Sequence, residues 1–314
     1  MKFKKPKFWN LEKPNLISYL LKIFTIPIII NNFLLKFKTK KKINNIKTIC
    51  IGNIYIGGTG KTPTSIKLYE ILNKFDFNVA TAKKYYSSQI DEQILLKSKT
   101  NYISADTRIN IIHKALMTEY NLIIFDDGLQ DKGVFYDIQF VCFDAENWIG
   151  NGELIPAGPL REKLSSLKKY DAVFLKVNNR RKENIEELIK KNNPNIKIFN
   201  TRYKPINLQK FNSKKKYLIF SGIGTPQDFK KILQKNNINV IDELIYPDHF
   251  NYKKRDIENI KESAKRIGAE IITTEKDYVK ISNEDRNSIN FLEVALEIDN
   301  EEELIKFIKA KIYD

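Results

Sequence analysis

Apolar residues in this chain fall into short β-branched or aromatic runs separated by segments of helical period. Residues 46–51, 78–82, 101–104, 122–127, 139–143 and 172–175 read as strands. Between them, residues 61–74 carry Ile66, Tyr69 and Leu72 on one side, and residues 107–118 place Ile111, Ile112, Ala115 and Leu116 at helical spacing. Strands alternating with helices predict a mostly parallel sheet flanked by helices. A polar linker at residues 204–216 precedes a second, shorter set: strand 217–220, helix 226–236, strand 239–244, helix 253–267 and strand 270–274. An amphipathic helix at 301–313 closes the chain. At 314 residues the chain exceeds a single ordinary core. The expected organisation is an N-terminal segment (1–45), a larger α/β domain (46–210) and a smaller α/β domain (211–314).

The N-terminal segment breaks the pattern. Lys2, Lys4, Lys5 and Lys7 precede an apolar stretch at residues 16–35, and Lys36, Lys38, Lys40, Lys41 and Lys42 follow it. The stretch is long enough for a bilayer span. However, Lys22, Pro27, Asn31 and Asn32 interrupt it, and a mid-membrane lysine costs about 3 kcal/mol. Leu16, Ile17, Leu20, Leu21, Ile23 and Phe24 fall mainly on one helical face. The segment reads as an amphipathic helix and hairpin lying on a membrane, with lysines against anionic headgroups. The alternative is an amphipathic helix packed on the protein. A signal peptide is not expected, because no small-residue cleavage site follows.

The strand at 46–51 runs into Gly57, Gly58 and Gly60, then Lys61, Thr62 and a helix. Strand, glycine loop and helix in that order form a cradle in which backbone N–H groups approach phosphate oxygens. Lys61 is placed to reach the β- and γ-phosphates, and the Thr62 hydroxyl to ligate Mg²⁺. The general loop pattern expects glycine five residues before Gly60, where this chain has Tyr55. The expected ligand is ATP or GTP.

Composition narrows the picture. The net charge of +16 admits nucleic acid, a membrane surface or a phosphorylated substrate. Lysines are scattered or gathered at the N-terminus without an aromatic–basic nucleic-acid motif, so nucleic acid is not an expected partner. Cys50 and Cys142 sit in apolar strand-like runs, which predicts buried, reduced thiols in an intracellular protein, and no zinc site. The two histidines are His113 and His249.

The strand at 122–127 ends in Asp126 and Asp127. Asp-Asp-Gly alone signals a turn, but after a phosphate loop and a buried strand the acids suit Mg²⁺ that offsets triphosphate charge. Other polar clusters stay open on residues alone. Asp91-Glu92 follows a tyrosine- and serine-rich loop and fits a solvated turn. Residues 154–162 make a rigid loop opening a helix, with Arg161 as a phosphate clamp or a surface cap. His249 lies in a polar loop, and Thr273-Thr274-Glu275-Lys276-Asp277 follows a strand.

Taken in order, these elements resemble the tetraacyldisaccharide 4'-kinase family, the lipid A 4'-kinases of Gram-negative bacteria. The resemblance rests on Gly52-Asn53-Ile54, Gly57-Gly58-Thr59-Gly60-Lys61-Thr62-Pro63, Asp91-Glu92, Asp126-Asp127-Gly128-Leu129-Gln130 and Pro156-Ala157-Gly158-Pro159-Leu160-Arg161-Glu162. Gly222-Ile223-Gly224, Pro247-Asp248-His249 and Thr273 to Asp277 extend it. It implies a P-loop NTPase-like, mostly parallel sheet flanked by helices, a second smaller α/β domain, and a membrane-associated amphipathic N-terminal helix. It implies transfer of the γ-phosphate of ATP, with Mg²⁺, to the 4'-hydroxyl of a tetraacylated glucosamine disaccharide 1-phosphate.

By match, Gly57, Gly58, Thr59, Gly60, Lys61 and Thr62 hold the nucleotide, with Lys61 also catalytic, and Thr62, Asp126 and Asp127 serve the metal. Asp91 matches the general base, and His249 the group that orients it across a domain cleft. Arg108, Arg161, Glu162, Glu92 and Gln130 match the substrate region. The implied partners are the lipid A disaccharide precursor and an anionic membrane surface, at the cytoplasmic face of the inner membrane. No obligate protein partner is implied. Two departures stand out: Asp131 replaces the family's usual histidine, and Lys83-Lys84-Tyr85 replaces Arg-Gly-Tyr. The alternatives are a soluble P-loop small-molecule kinase and, from another class, a nucleotide switch or nucleic-acid-binding ATPase.

Overall fold

The short apolar runs become strands of two sheets in the computed structural model of the protein, which describes residues 5–42, 45–75, 77–131, 133–177 and 182–313. The chain begins with helices α1 (Leu16–Leu21) and α2 (Ile26–Leu34). Strand β1 (Lys47–Gly52), helix α3 (Lys61–Leu72), strand β2 (Val79–Lys84), helix α4 (Ile90–Lys99) and strand β3 (Tyr102–Ala105) follow. Next come α5 (Arg108–Leu116), β4 (Leu122–Asp126), β5 (Ile138–Asp144), β6 (Ala172–Lys176), α6 (Lys182–Asn192) and β7 (Lys197–Pro205). The last part holds β8 (Lys216–Ser221), α7 (Pro226–Lys235), β9 (Asn239–Ile245), α8 (Lys254–Arg266), β10 (Glu270–Thr274) and the short α9 (Glu275–Tyr278). Strands β11 (Ile289–Leu292) and β12 (Val294–Ile298) lead into α10 (Glu301–Tyr313).

Among the described residues, the strands form an eight-stranded sheet, ordered β12-β7-β6-β5-β1-β4-β2-β3, and a four-stranded sheet, β11-β10-β8-β9. Strand β1 lies parallel between β4 and β5, with Ile51 opposite both Asp126 and Phe140. The pairs β2–β4, β2–β3, β5–β6 and β6–β7 are parallel too. Parallel pairing brings the carboxyl ends of β1, β2, β4, β5 and β6 to one edge of the sheet, where ligands of such folds bind. The strands are buried on both sides, as their unbroken apolar runs require. Cys50 and Cys142 are free, buried thiols, as expected, and burial pushes the Cys142 pKa up to about 12.

The chain folds into two compact units that do not follow the expected boundaries at 45 and 210. The smaller unit takes Tyr86–Ser98 and Tyr203–Ala295; Lys99–Arg202 and the chain from Leu296 onward belong to the larger. Helix α4 escaped the sequence reading because its inward face mixes Asp91 and Gln93 with Leu95 and Leu96, which hides the apolar period. Helix α10 joins the larger unit through Phe307, whose ring lies 6.1 Å from Phe140 and 5.8 Å from Phe199.

Two other expectations are corrected. The segment after Arg161 opens no α-helix. Leu164–Lys169 is a 3-10 helix, and Leu164, Leu167 and Tyr170, three apart, pack on the core, which is the 3-10 period. Nor does the N-terminal segment form a hairpin. Helical turns run unbroken from Leu16 to Phe37, with α1 and α2 joined by the 3-10 helix Lys22–Thr25. Pro27, in the first turn of α2, lacks the N–H that would continue an α-helix, so Ile26 N–H bonds back to Ile23 O instead. Trp9 is buried and donates from Nε1 to Pro156 O at 3.0 Å, fixing the chain ahead of α1. Lys2 and Lys4 lie outside the described residues.

Phe140 sits centrally among Phe174, at 4.7 Å between ring centres, and Phe307. Phe140→Ala is expected to cost about 3–5 kcal/mol, measured by denaturant unfolding of the larger unit's transition. A loss below about 1 kcal/mol would mean the site collapses around the cavity.

Candidate active site

The glycine loop leaves β1 and enters α3 through Gly60, whose φ of 83° lies in the left-handed region. That conformation, with φ 134° at Gly57, turns the loop so that its N–H groups and the start of α3 face the same space. Asn53 braces the turn, its Nδ2 donating to Gly57 O at 3.2 Å and to Thr59 Oγ1 at 3.0 Å. Tyr55, at the position where glycine was expected, is buried and bridges to Leu160. Ile56 N–H bonds Pro159 O, and Arg161 N–H bonds Ile54 O at 2.7 Å. The residues before the cradle are therefore a short ladder against residues 159–161. Only the turn that follows needs glycine.

Asp126 ends β4 with no exposed surface. Its Oδ2 accepts from Thr62 Oγ1 and from Lys83 Nζ, both at 2.9 Å, and its Oδ1 from Ser65 Oγ at 3.3 Å. Asp127 adopts φ 62°. Its Oδ1 lies 3.8 Å from Lys61 Nζ and 3.6 Å from Arg161 Nη1. Arg161 also donates to Gln130 Oε1 at 3.1 Å, and Gln130 Nε2 donates to Asn53 O at 2.8 Å. Lys61, Thr62, Asp126, Asp127, Arg161 and Gln130 thus converge beside the loop. Thr62, Asp126 and Asp127 present only oxygen donors, which suits a hard divalent cation.

Two residues expected in the substrate region are turned inward. Arg108 is buried, donating from Nη1 to Asp131 Oδ2 at 2.9 Å and from Nη2 to Asp127 O. It supports the backbone of Asp127 in its unusual conformation. Glu162 is buried against Tyr170 OH, at 2.9 Å, and Lys169 Nζ. Both are braces in this geometry.

The second constellation lies wholly in the smaller unit. Asp91, in the first turn of α4, is buried, and its carboxylate lies 2.9–3.0 Å from His249 Nδ1. An ionised carboxylate only accepts, so Nδ1 carries the proton. His249 holds φ 56° in the loop after β9, its N–H bonded to Gly222 O. Gly222 permits this approach, since a Cβ there would come within 3.0 Å of Pro247 O. Asp91 and His249 therefore belong to one compact unit, and the expectation that His249 meets Asp91 across a domain cleft is corrected. Glu92 belongs here as well, its Oε1 3.3 Å from Lys276 Nζ. Burial raises the Asp91 pKa, but the His249 hydrogen bond and the Lys276 charge outweigh it and hold the carboxyl below its usual range. His113 is exposed on α5 and takes no part.

The sequence model of the Tetraacyldisaccharide-1-P 4'-kinase family (LpxK) matches residues 16–313. This chain belongs to that family. It is 46% identical over 312 residues to the tetraacyldisaccharide 4'-kinase of Pelagibacter ubique (strain HTCC1062), covering 98% of each chain. It is 34% identical to that of Rickettsia typhi (strain ATCC VR-144 / Wilmington), covering 94% of each. The crystal structure of "apo" form LpxK from Aquifex aeolicus in complex with ATP shares the fold, with TM-score 0.69 and 21% identity over 94% of this chain and 97% of that one.

Against the family pattern, the two departures have places. Asp131 pairs with Arg108, and Lys83 in β2 is fully buried against Asp126. Asn53, Ser65, Lys276 and Lys280 were not singled out by sequence reasoning as site residues. A polar residue at the carboxyl end of an apolar strand was the available signal for Asn53. Removing one partner of a buried ion pair is strongly destabilising, by about 3–5 kcal/mol. Lys83→Met is accordingly expected to destabilise by that order and to weaken ATP binding, measured by unfolding and by nucleotide titration. Unchanged stability and affinity would mean Asp126 is satisfied without it.

Proposed function

We propose that this member of the tetraacyldisaccharide 4'-kinase family transfers the γ-phosphate of ATP to the 4'-hydroxyl of a tetraacylated glucosamine disaccharide 1-phosphate, a step of lipid A biosynthesis. The observation that carries the reading is the extent of the family match, across residues 16–313. The geometry supports assigned roles. The loop from Gly57 to Thr62 cradles the phosphates, with Gly58 and Thr59 in its turn, and Lys61 reaches the transferring group. Thr62 and Asp127 would hold Mg²⁺, with Asp126 fixing the Thr62 hydroxyl; bound there, the ion offsets triphosphate charge. Asp91 accepts the proton of the attacking hydroxyl, and His249 orients it. Arg161 and Gln130 line the phosphate side, and Glu92 the acceptor side.

The N-terminal helices supply the membrane location in this reading: a peripheral enzyme at the cytoplasmic face of the inner membrane, against anionic lipid. Their protein-facing side mixes polar residues with the half-buried Leu21, Ile28 and Leu35. Ser18 is buried and accepts from Asn151 Nδ2 at 2.9 Å, Asn32 donates to Arg161 O at 3.0 Å, and Lys22 pairs with Glu153 at 2.9 Å. Leu16 (74%), Leu20 (67%), Ile23 (65%) and Phe24 (63%) are exposed instead. A contiguous apolar face of this kind on a folded protein marks a surface that something apolar covers, and lipid suits an enzyme whose substrate is acylated. Lys38, Lys40, Lys41 and Lys42 are exposed beside it. Lys5, expected against headgroups, packs on the Tyr55 ring instead.

Asp91→Asn is expected to lower kcat for a lipid A disaccharide precursor in detergent micelles by about 10²–10⁴-fold while leaving ATP affinity unchanged. Lost ATP binding with normal residual turnover would refute the base role. Replacing Leu20, Phe24 and Ile30 together by serine should abolish flotation with anionic phospholipid vesicles, and undiminished flotation would sink the membrane face.

A further inference from the structure

The run Thr273-Thr274-Glu275-Lys276-Asp277 has no role in the chemistry above, yet most of its side chains are committed to definite partners. Thr273 Oγ1 donates to Phe220 O at 2.8 Å, and Thr274 Oγ1 to Asp277 Oδ2 at 2.7 Å. Asp277, fully buried, also accepts from Gly222 N–H at 3.0 Å and Tyr252 OH at 3.1 Å. These contacts build the turn from β10 into α9. Lys276 leaves that turn toward the acids. Its Nζ lies 3.6 Å from Asp91 Oδ2, 3.3 Å from Glu92 Oε1 and 3.4 Å from Asp248 Oδ1.

Three carboxylates so close together repel one another, and without a cation one of them would retain its proton. Two lysines and a histidine face the cluster. His249 reaches Asp91 by its Nδ1, while its Nε2 stays 3.9 Å from Glu92 and 3.8 Å from Asp248. Lys280 is committed elsewhere, 2.6 Å from Asp277 and 3.9 Å from Asp91. Lys276 is almost equally near all three acids. We propose that Lys276 is the counter-ion of the base: a positioning residue set among Asp91, Glu92 and Asp248 whose charge keeps Asp91 ionised beside the other two acids, so that Asp91 meets the acceptor hydroxyl as a carboxylate in a fixed orientation. This rests on the reading of Asp91 as the base.

The charges agree with that role. Burial lowers the Lys276 pKa, but Glu92, Asp248, Asp91 and Asp277 outweigh it and hold the ammonium above its ordinary value. Lys276 in turn lowers the Asp91 pKa. A carboxyl lowered on folding contributes stability above the usual carboxylate range and loses it as pH falls through its folded pKa. Removing Lys276 moves that loss to higher pH.

The test compares Lys276→Met and Lys276→Arg with the unsubstituted enzyme, using ATP, Mg²⁺ and a lipid A disaccharide precursor in micelles. The acidic limb of the kcat profile is expected to rise by about 1–3 pH units in Lys276→Met, with KM for ATP unchanged. Lys276→Arg, which keeps the charge, returns the limb toward its original position. Thermal unfolding without ATP reads the same linkage independently of turnover, and acid destabilisation should set in at higher pH in Lys276→Met. If Lys276→Met does not fold, Lys276→Gln takes its place in both measurements. A limb and an unfolding profile that stay in place while Asp91→Asn abolishes turnover would overturn the counter-ion role. Normal turnover in Asp91→Asn would overturn the base reading itself.

Discussion

A carboxylate with no exposed surface is the constraint around which the larger unit is arranged. Burying an ionised group without partners carries a penalty of several kcal/mol, and Asp126 is satisfied from three directions: Thr62 and Ser65 on α3 and Lys83 on β2. Each partner is an element that the phosphate loop needs. Holding Thr62 fixes the start of α3, and with it the N–H groups proposed to cradle phosphate. Lys83 can lie in the core because Asp126 is there to meet it, and Asp126 tolerates burial because of Lys83. The acid that served in the sequence as a metal candidate is thus first a structural anchor, which leaves Asp127, beside Lys61 and Arg161, for the proposed metal site.

The smaller unit solves the same electrostatic problem differently. There the charges are several and the solution is neutralisation within a cluster: Asp91, Glu92, Asp248 and Asp277 against Lys276 and Lys280, with His249 hydrogen-bonded to Asp91. Because α4 carries Asp91 into this unit, the proposed base and its histidine are held together within one compact unit. A positive φ at His249 and the missing side chain at Gly222 give the histidine its aim, so part of the backbone is held in a sparsely populated conformation for the sake of one ring.

Much of this was legible because strand and loop chemistry is local. The runs at 46–51 and 122–127 and the glycines before Lys61 state their structure within a few residues, and the helix at 301–313 was placed to the residue. What escaped was nonlocal. Helix α4 turns an acid inward, a choice that makes sense only beside His249, 158 positions away. Strand β7, whose residues are mostly exposed or half-buried, was not read from the sequence, and its last two residues fell in the expected linker. Arg108 and Glu162 matched a family pattern as residue types, but whether a charged side chain lines a site or braces it depends on which way it turns. Motif order carries no information about that.

The N-terminal helices make the same point about faces. Helical period locates an apolar stripe without saying whether protein or something else covers it. In a helix docked on its own domain, the stripe would face inward and the polar residues out. Here Ser18 and Thr25 are the fully buried positions, Leu21, Ile28 and Leu35 are half-buried, and Leu16, Ile17, Leu20, Ile23, Phe24, Ile26, Ile29, Ile30 and Leu34 are exposed. The docking combines hydrogen bonds and an ion pair with partial burial of Leu21, Ile28 and Leu35, and leaves most of the apolar surface of the helices exposed. Such an arrangement is poor at driving helix formation in water, where short helices depend on packing of an apolar face. It is well suited to a helix whose apolar face is completed by lipid, so the inversion itself, more than the length of the stretch, is the argument for the proposed membrane surface.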